Sequence, residues 1–163
     1  MINLKKKNYQ QLLLILSVLI LVSALIIEYV LGYQPCNLCL IERIPYGLSI
    51  IILLLGFIFK KDQVFYSVLL ILIFSFSIII SIYHLGIEQG LIEESTVCAS
   101  QNLDLITKEQ VLKSLNQLSI SCKNVAFKMF GLSLTSYNIV LSILMFLISL
   151  KIYLKGNSYG IKK

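Results

Sequence analysis

The sequence predicts an all-α fold, an integral membrane four-helix bundle with two outer loops that carry every cysteine. Of its 163 residues, 58% are hydrophobic and 13% charged. A soluble domain is roughly 45–50% apolar, so a water-soluble fold of this size has too little polar surface to cover the load. The apolar residues also fall into long blocks, 12–31, 44–59, 64–83 and 132–154, and about 20 such residues cross a hydrocarbon core of roughly 30 Å. Finally, the lysines gather at one end of the blocks, as they do on the cytoplasmic side of membrane proteins.

The first block, Leu12 to Leu31, follows Lys5, Lys6 and Lys7. It is longer than the apolar stretch of a signal peptide and no small-x-small cleavage site follows, so it is expected to be a retained anchor. The second, Ile44 to Phe59, is short. It spans if Pro45 sits in the first helical turn, where the missing N–H costs little, and if the flanking side chains reach to the interface. The third, Val64 to Tyr83, ends at His84 in YHLGIEQG, and the fourth runs from Leu132 to Leu154. All four lack the alternation of barrel strands, and a helix satisfies its own backbone in lipid. The whole chain, 1–163, reads as a single membrane domain.

Alternating spans place the N-terminal lysines, Lys60, Lys61, Lys151, Lys155, Lys162 and Lys163 on one side, nine of the 14 basic residues. The other side holds Arg43, Lys108, Lys113, Lys123 and Lys128 beside most of the acidic residues. Both termini are therefore expected in the cytoplasm. The net charge of +6 is a topology signal, and without a basic stripe on one surface there is no footprint for nucleic acid.

This orientation puts Cys36 and Cys39 in the first outer loop, 32–43, and Cys98 and Cys122 in the second, 86–131. All four lie on the oxidising side, which favours disulfide chemistry. Four cysteines allow three pairings. The sequence-local pair is Cys36 with Cys39, which leaves Cys98 with Cys122 across a longer loop. A CxxC bridge closes too small a ring to stabilise much chain, while such motifs lower a thiol pKa and exchange readily.

Arg43 follows Cys39 by four residues. If the chain is already helical from Leu38, the two share a face, and the guanidinium stabilises a thiolate in addition to anchoring a helix end. In the second outer loop, Thr107 and Gln110 form a capping-box pattern before Val111, Leu112, Leu115 and Leu118, which predicts a short amphipathic helix on the membrane surface. His84 is the single histidine; by residue chemistry alone it reads as a polar residue at the interface.

With PCNLCLIER, YHLGIEQG followed by Cys98, and Cys122 followed by GLSLTSYN, the chain resembles the DsbB-type disulfide bond formation proteins, quinone-linked thiol oxidases of the bacterial inner membrane. The resemblance spans nearly the whole chain. It implies that a DsbA-like periplasmic dithiol protein attacks Cys98, that the freed Cys122 attacks Cys36, and that Cys39 is left as a thiolate facing a bound quinone, ubiquinone or menaquinone. It further implies that the four cysteines form the redox-active pairs Cys36–Cys39 and Cys98–Cys122, that Arg43 polarises the quinone, and that His84 lies in or near its pocket. The loops become periplasmic, with Cys98 on a mobile segment where a soluble partner reaches it. Family members often carry tryptophan near the interface; this chain has none, and Tyr29, Tyr33, Tyr46, Tyr83 and Tyr137 are expected to form the belt instead.

A vitamin K epoxide reductase-like protein also couples paired cysteines to a quinone, but its CxxC is expected in the last helix. Two further readings are a four-cysteine metal-binding membrane protein and a structural membrane protein with two disulfides. No second zinc-knuckle pair is present and Leu40 excludes a CxxCH haem attachment, so no metal is expected.

Overall fold

The computed structural model describes residues 4–59, 63–93, 98, 122–123, 128–129 and 131–160. Its main elements are the helices α1 (Leu4–Tyr29), α2 (Asn37–Ile58), α3 (Gln63–Glu88) and α4 (Leu134–Gly160). Each contains a stretch long and apolar enough to cross a membrane: Asn8–Tyr29, Asn37–Ile58, Val64–Glu88 and Leu134–Leu154. The amphipathic helix expected around Val111 to Leu118 lies outside the described residues.

The distribution of side chains is that of a bundle solvated by lipid. Ile15, Leu19, Leu72, Ile79 and Val140 face outward, whereas Ser17, Ser49, Ser77, Ser81, Ser142 and Ser149 are buried. Lipid supplies no hydrophobic drive between helices, so association depends on close packing at small residues and on interhelical hydrogen bonds. Ser17 of α1 bonds Ser49 of α2 at 2.8 Å. Ser142 of α4 bonds both Ser77 of α3 and the Tyr46 hydroxyl of α2 at 2.9 Å. Around this seam pack Leu13, Leu53, Leu70, Phe74, Met145 and Ile152. The chain is a multi-pass membrane protein.

The helix ends depart from the apolar blocks. α2 begins at Asn37, well before the expected start at Ile44, because Cys36 caps it: the Cys36 Sγ accepts the Cys39 N–H at 3.3 Å. Pro45 consequently lies inside the helix rather than in its first turn. It withholds the N–H that the Ile41 carbonyl would have accepted, a defect that neighbouring helices and side chains make tolerable in membrane spans.

α3 continues past Tyr83 to Glu88 and ends in a Schellman motif. Gly90, at φ +72°, donates to the Ile87 carbonyl at 3.0 Å, and Leu91 donates to Gly86 at 2.9 Å. This is the 5→2 and 6→1 pattern that requires a left-handed residue. The returning chain sets Ile92 over Gly86, where an added Cβ would meet the Ile92 Cδ1 at 2.7 Å. Before α4, strands β1 (Lys128–Met129) and β2 (Leu132–Ser133) pair as an antiparallel hairpin. Gly131 turns it at φ +82°. Ser133 then caps α4 by accepting the Ser136 N–H at 3.3 Å, which fixes the first turn of α4 and Thr135 within it.

Tyr46 is not part of an interfacial belt. It is 2% exposed, stacked obliquely on Phe74 with ring centroids 6.3 Å apart. Its hydroxyl donates to Asn138, and Asn138 in turn donates to Ser81 at 2.8 Å. A buried tyrosine needs such partners for its hydroxyl.

Candidate functional site

Two cysteine pairs meet at one end of the bundle. Cys36 precedes α2 and Cys39 lies in its first turn, with their sulfurs 2.6 Å apart. Cys98 and Cys122 are joined in a disulfide, their Cα atoms 5.4 Å apart. Cys36, Leu38, Ile87, Cys98 and Cys122 form a single buried cluster with Cys39, Ile41 and Tyr83 packed against it. Residues remote in sequence thus bring a bonded pair against an open pair. Cys98 is only 1% exposed, so it is covered where a soluble partner was expected to reach it directly.

The environment of Cys36 favours its thiolate. Its Sγ is close to the Cys39 thiol, accepts the Cys39 N–H at the start of α2, and lies 3.5 Å from the His84 Nε2. The Cys39 thiol, then His84 and the helix N–H, hold the Cys36 pKa down from 9.0 to about 4, against the opposing effect of burial. Hydrogen bonds to a charged form stabilise it, and a helix N-terminus adds partial positive charge.

His84 is 1% exposed and lies within α3, not at a water-facing helix end. Its Nδ1 is 3.1 Å from the Glu42 Oε1 and 3.3 Å from the Thr135 Oγ1. The Thr135 hydroxyl donates to the Glu88 Oε1 at 2.6 Å, and that oxygen stands 3.8 Å from the His84 Nε2. With Glu42 and Thr135 drawing a proton to Nδ1, Nε2 becomes the exchanging atom. It faces the Cys36 sulfur and the Glu88 carboxylate.

Arg43 is paired with Glu28 of α1. Its charge is thus partly neutralised while it remains on the wall of a cavity of about 180 Å³. That cavity is lined by apolar side chains of α1 and α4, including Ile20, Ala24, Ile27 and Leu141, and by Cys36, Cys39, Cys122, Arg43 and His84. An apolar wall with a few convergent polar groups is the usual form of a small-molecule site. It suits a flat apolar ring bearing polar oxygens.

Sequence reasoning does not single out Glu42, Glu88 and Thr135. A signal is present for two of them: Glu42 is three residues after Cys39, and Glu88 is four after His84, spacings that share a helix face. Carboxylates that abut apolar spans mark function by default. Thr135 has no comparable signal, because only the hairpin and the Ser133 cap bring it to His84.

Cys36 Sγ, Cys39 Sγ and a His84 ring nitrogen lie within 4.8 Å of one another, a donor set suited to a soft metal ion. A four-thiolate site is not assembled, since Cys98 and Cys122 are consumed in their disulfide.

The family model described as "Disulfide bond formation protein DsbB" matches residues 6–152. An uncharacterized protein of Rickettsia prowazekii (strain Madrid E), RP370, is 35% identical over 164 residues, covering 94% of each chain. The matched stretch includes the first three spans, all but the end of the fourth, and both cysteine pairs, and the chain belongs to the DsbB family of disulfide bond formation membrane proteins.

Proposed function

We propose that this chain is a protein dithiol:quinone oxidoreductase of the bacterial inner membrane. In this reading it reoxidises a DsbA-like periplasmic protein, with both termini cytoplasmic and the cysteines periplasmic. The observation that carries the proposal is the shared burial of the two cysteine pairs, with Cys36, Cys39 and Cys122 on the wall of an apolar cavity between membrane spans. A water-soluble donor and a lipid-soluble acceptor need two exchanging cysteine pairs in series, and this end of the bundle sets two pairs side by side.

The exchange steps follow from thiolate attack on a disulfide sulfur. A donor thiolate attacks the Cys98 sulfur and Cys122 leaves as a thiolate. Cys122 then attacks Cys36, from which Cys39 leaves. The donor's second thiolate closes the donor disulfide and releases Cys98, which attacks Cys122 and frees Cys36. The donor has lost two electrons, and Cys36 and Cys39 have gained them. Because Cys98 is covered, docking must first uncover it.

Arg43, His84, Cys39 and the apolar wall would hold the quinone. When bound, it supplies a two-electron, two-proton acceptor for the Cys36–Cys39 dithiol. The chain's own contribution is to hold Cys36 as a thiolate, to orient His84 through Glu42, and to exclude bulk water from the sulfurs.

The test is quinol formation by the purified protein in detergent with a reduced DsbA-like donor. Donor-dependent turnover that disappears in Cys39→Ser and weakens in Arg43→Ala is the expected result. No turnover with benzoquinones or naphthoquinones, while both disulfides still form, sinks the oxidase reading. Metal analysis of the reduced protein would then decide whether Cys36, Cys39 and His84 form a metal site instead.

A further inference from the structure

Oxidising a dithiol releases two protons as well as two electrons, and at the end of a membrane bundle those protons need a defined path. Such a path is built beside Cys36. The His84 Nε2 stands between the Cys36 Sγ, 3.5 Å away, and the Glu88 Oε1, 3.8 Å away. Its other nitrogen is held by Glu42 and Thr135, which turns the ring so that one edge serves both neighbours. Thr135 also donates to the same Glu88 oxygen, so one hydroxyl positions both ring and carboxylate. The Glu88 side chain is 8% exposed, and Glu88, His84 and Thr135 all line the cavity.

Two carboxylates buried around one histidine are costly unless they are paired or used. Glu42 has the Nδ1 side of the ring as its partner. Glu88, beyond Nε2, has the Thr135 hydroxyl, and its oxygen lies outside hydrogen-bonding distance of the ring. It is placed to receive a proton from Nε2 after a small movement.

We propose that Glu88 is a proton-relay residue: the proton that Cys36 gives up to stand as a thiolate passes through the His84 Nε2 to Glu88, which holds it at the wall of the cavity, with Thr135 as the group that positions it. This rests on the oxidase reading. The balance is simple. As the pair is reduced, the Cys36 S–H bond breaks and an Nε2–H bond forms; that bond breaks in turn and a Glu88 O–H bond forms, which leaves Cys36 as the thiolate of the reduced protein. With a quinone bound, that thiolate would form the Cys36–Cys39 bond, and the quinone would take up the two electrons with two protons, the one held by Glu88 and the one on Cys39, as quinol. The second proton is that of Cys39, which lines the same cavity.

The test compares the full-length protein with Glu88→Gln and Thr135→Val. Glutamine keeps an acceptor for Thr135 but takes no proton. Exchange between donor and cysteine pairs, followed by gel shift without quinone, should change less than about twofold, since thiolate exchange does not route through Glu88. Quinol formation should fall on the order of 100-fold in Glu88→Gln at neutral pH. It should recover as pH rises, because solvent base replaces the carboxylate. Thr135→Val should show the same trend, more weakly.

A readout free of quinone comes from infrared difference spectra of the reduced protein oxidised with diamide. Wild type should lose a protonated-carboxyl band on oxidation, and Glu88→Gln should lack that change. If Glu88→Gln forms quinol at the wild-type rate, or loses rate with a pH profile parallel to wild type, Glu88 carries no proton. An infrared signal that is absent from wild type, or that persists in the variant, would overturn the relay in the same way. If the wild type makes no quinol but the infrared signal behaves as stated, the oxidase reading fails and the proton link between Glu88 and the pair stands. Should Glu88→Gln not fold, Thr135→Val decides by the same readouts.

Discussion

The bundle holds two buried polar networks of different character. In the middle of the spans, Ser17, Ser49, Ser77, Ser81, Ser142, Tyr46 and Asn138 form a neutral seam of hydroxyls and one amide. At the cysteine end, Cys36, His84, Glu42 and Glu88 form a titratable network bridged by Thr135. Neutral groups that bond one another link helices without changing charge, whereas titratable groups in the same low dielectric are expensive and are placed where charge must move. Tyr46 and Asn138 also reach the cavity, so the two networks share a boundary.

The largest effect should come from the titratable end. Cys36→Ser should lower donor-dependent turnover by on the order of 1,000-fold or more, the scale seen when a nucleophile is removed, while thermal unfolding in detergent moves little. A large drop in unfolding temperature with only modest loss of turnover would mean that the pair is structural.

The second prediction concerns pH. Cys36 has its pKa lowered to about 4 by Cys39 and His84, so in the reduced protein its thiolate persists as pH falls until about that value. Residue-resolved alkylation of Cys36 by iodoacetamide should stay flat from pH 8 toward pH 5, where an ordinary thiol of pKa about 8.5 loses roughly tenfold per unit. The sign for stability is the same. The contribution to the reduced fold is complete above the ordinary 9.0 and is lost as pH falls toward 4. Alkylation declining through pH 8 would show that His84 and the helix N-terminus do not hold the thiolate.

The neutral seam should respond in the opposite way. Ser142→Ala removes a hydroxyl that bonds both Ser77 and Tyr46. It should cost about 1 kcal/mol, as interhelical hydrogen bonds in membrane bundles do, with turnover within about twofold. Equal damage to turnover and stability would erase the distinction between the two networks.

Much of the bundle is legible in the sequence because lipid imposes a simple rule: about 20 apolar residues make a span. The cysteines and Arg43 stand out chemically against that background. What the sequence conceals lies where polar residues are wound into helices. Asn37 to Arg43 reads as loop because Glu42 and Arg43 are charged, yet the Cys36 cap and the burial of Leu38 and Glu42 hold that stretch in α2. Tyr46 reads as a belt residue because nothing local reports Asn138 and Ser142, which lie on another helix. Glu42, His84 and Thr135 come from three helices, and no local pattern places them on one ring.

The smallest effect tests how α3 is carried far enough to deliver Glu88. Gly90 adopts φ +72° with open space around its Cα, so Gly90→Ala meets no clash and pays only for the left-handed backbone, about 1 kcal/mol. That cost falls on the Schellman closure one turn from His84. If the closure holds the end of α3 in place, amide exchange should quicken at Leu91 and Ile92, whose N–H groups bond Gly86. Exchange deep in α3, around Phe74, should be unchanged. Turnover should drop only a few fold, because fraying displaces Glu88 part of the time while His84 stays buried. Unchanged exchange at Leu91 would show that the packing of Ile92 and Ile87, not the glycine turn, fixes the helix end, and the placement of Glu88 would then rest on the Thr135 hydrogen bond alone.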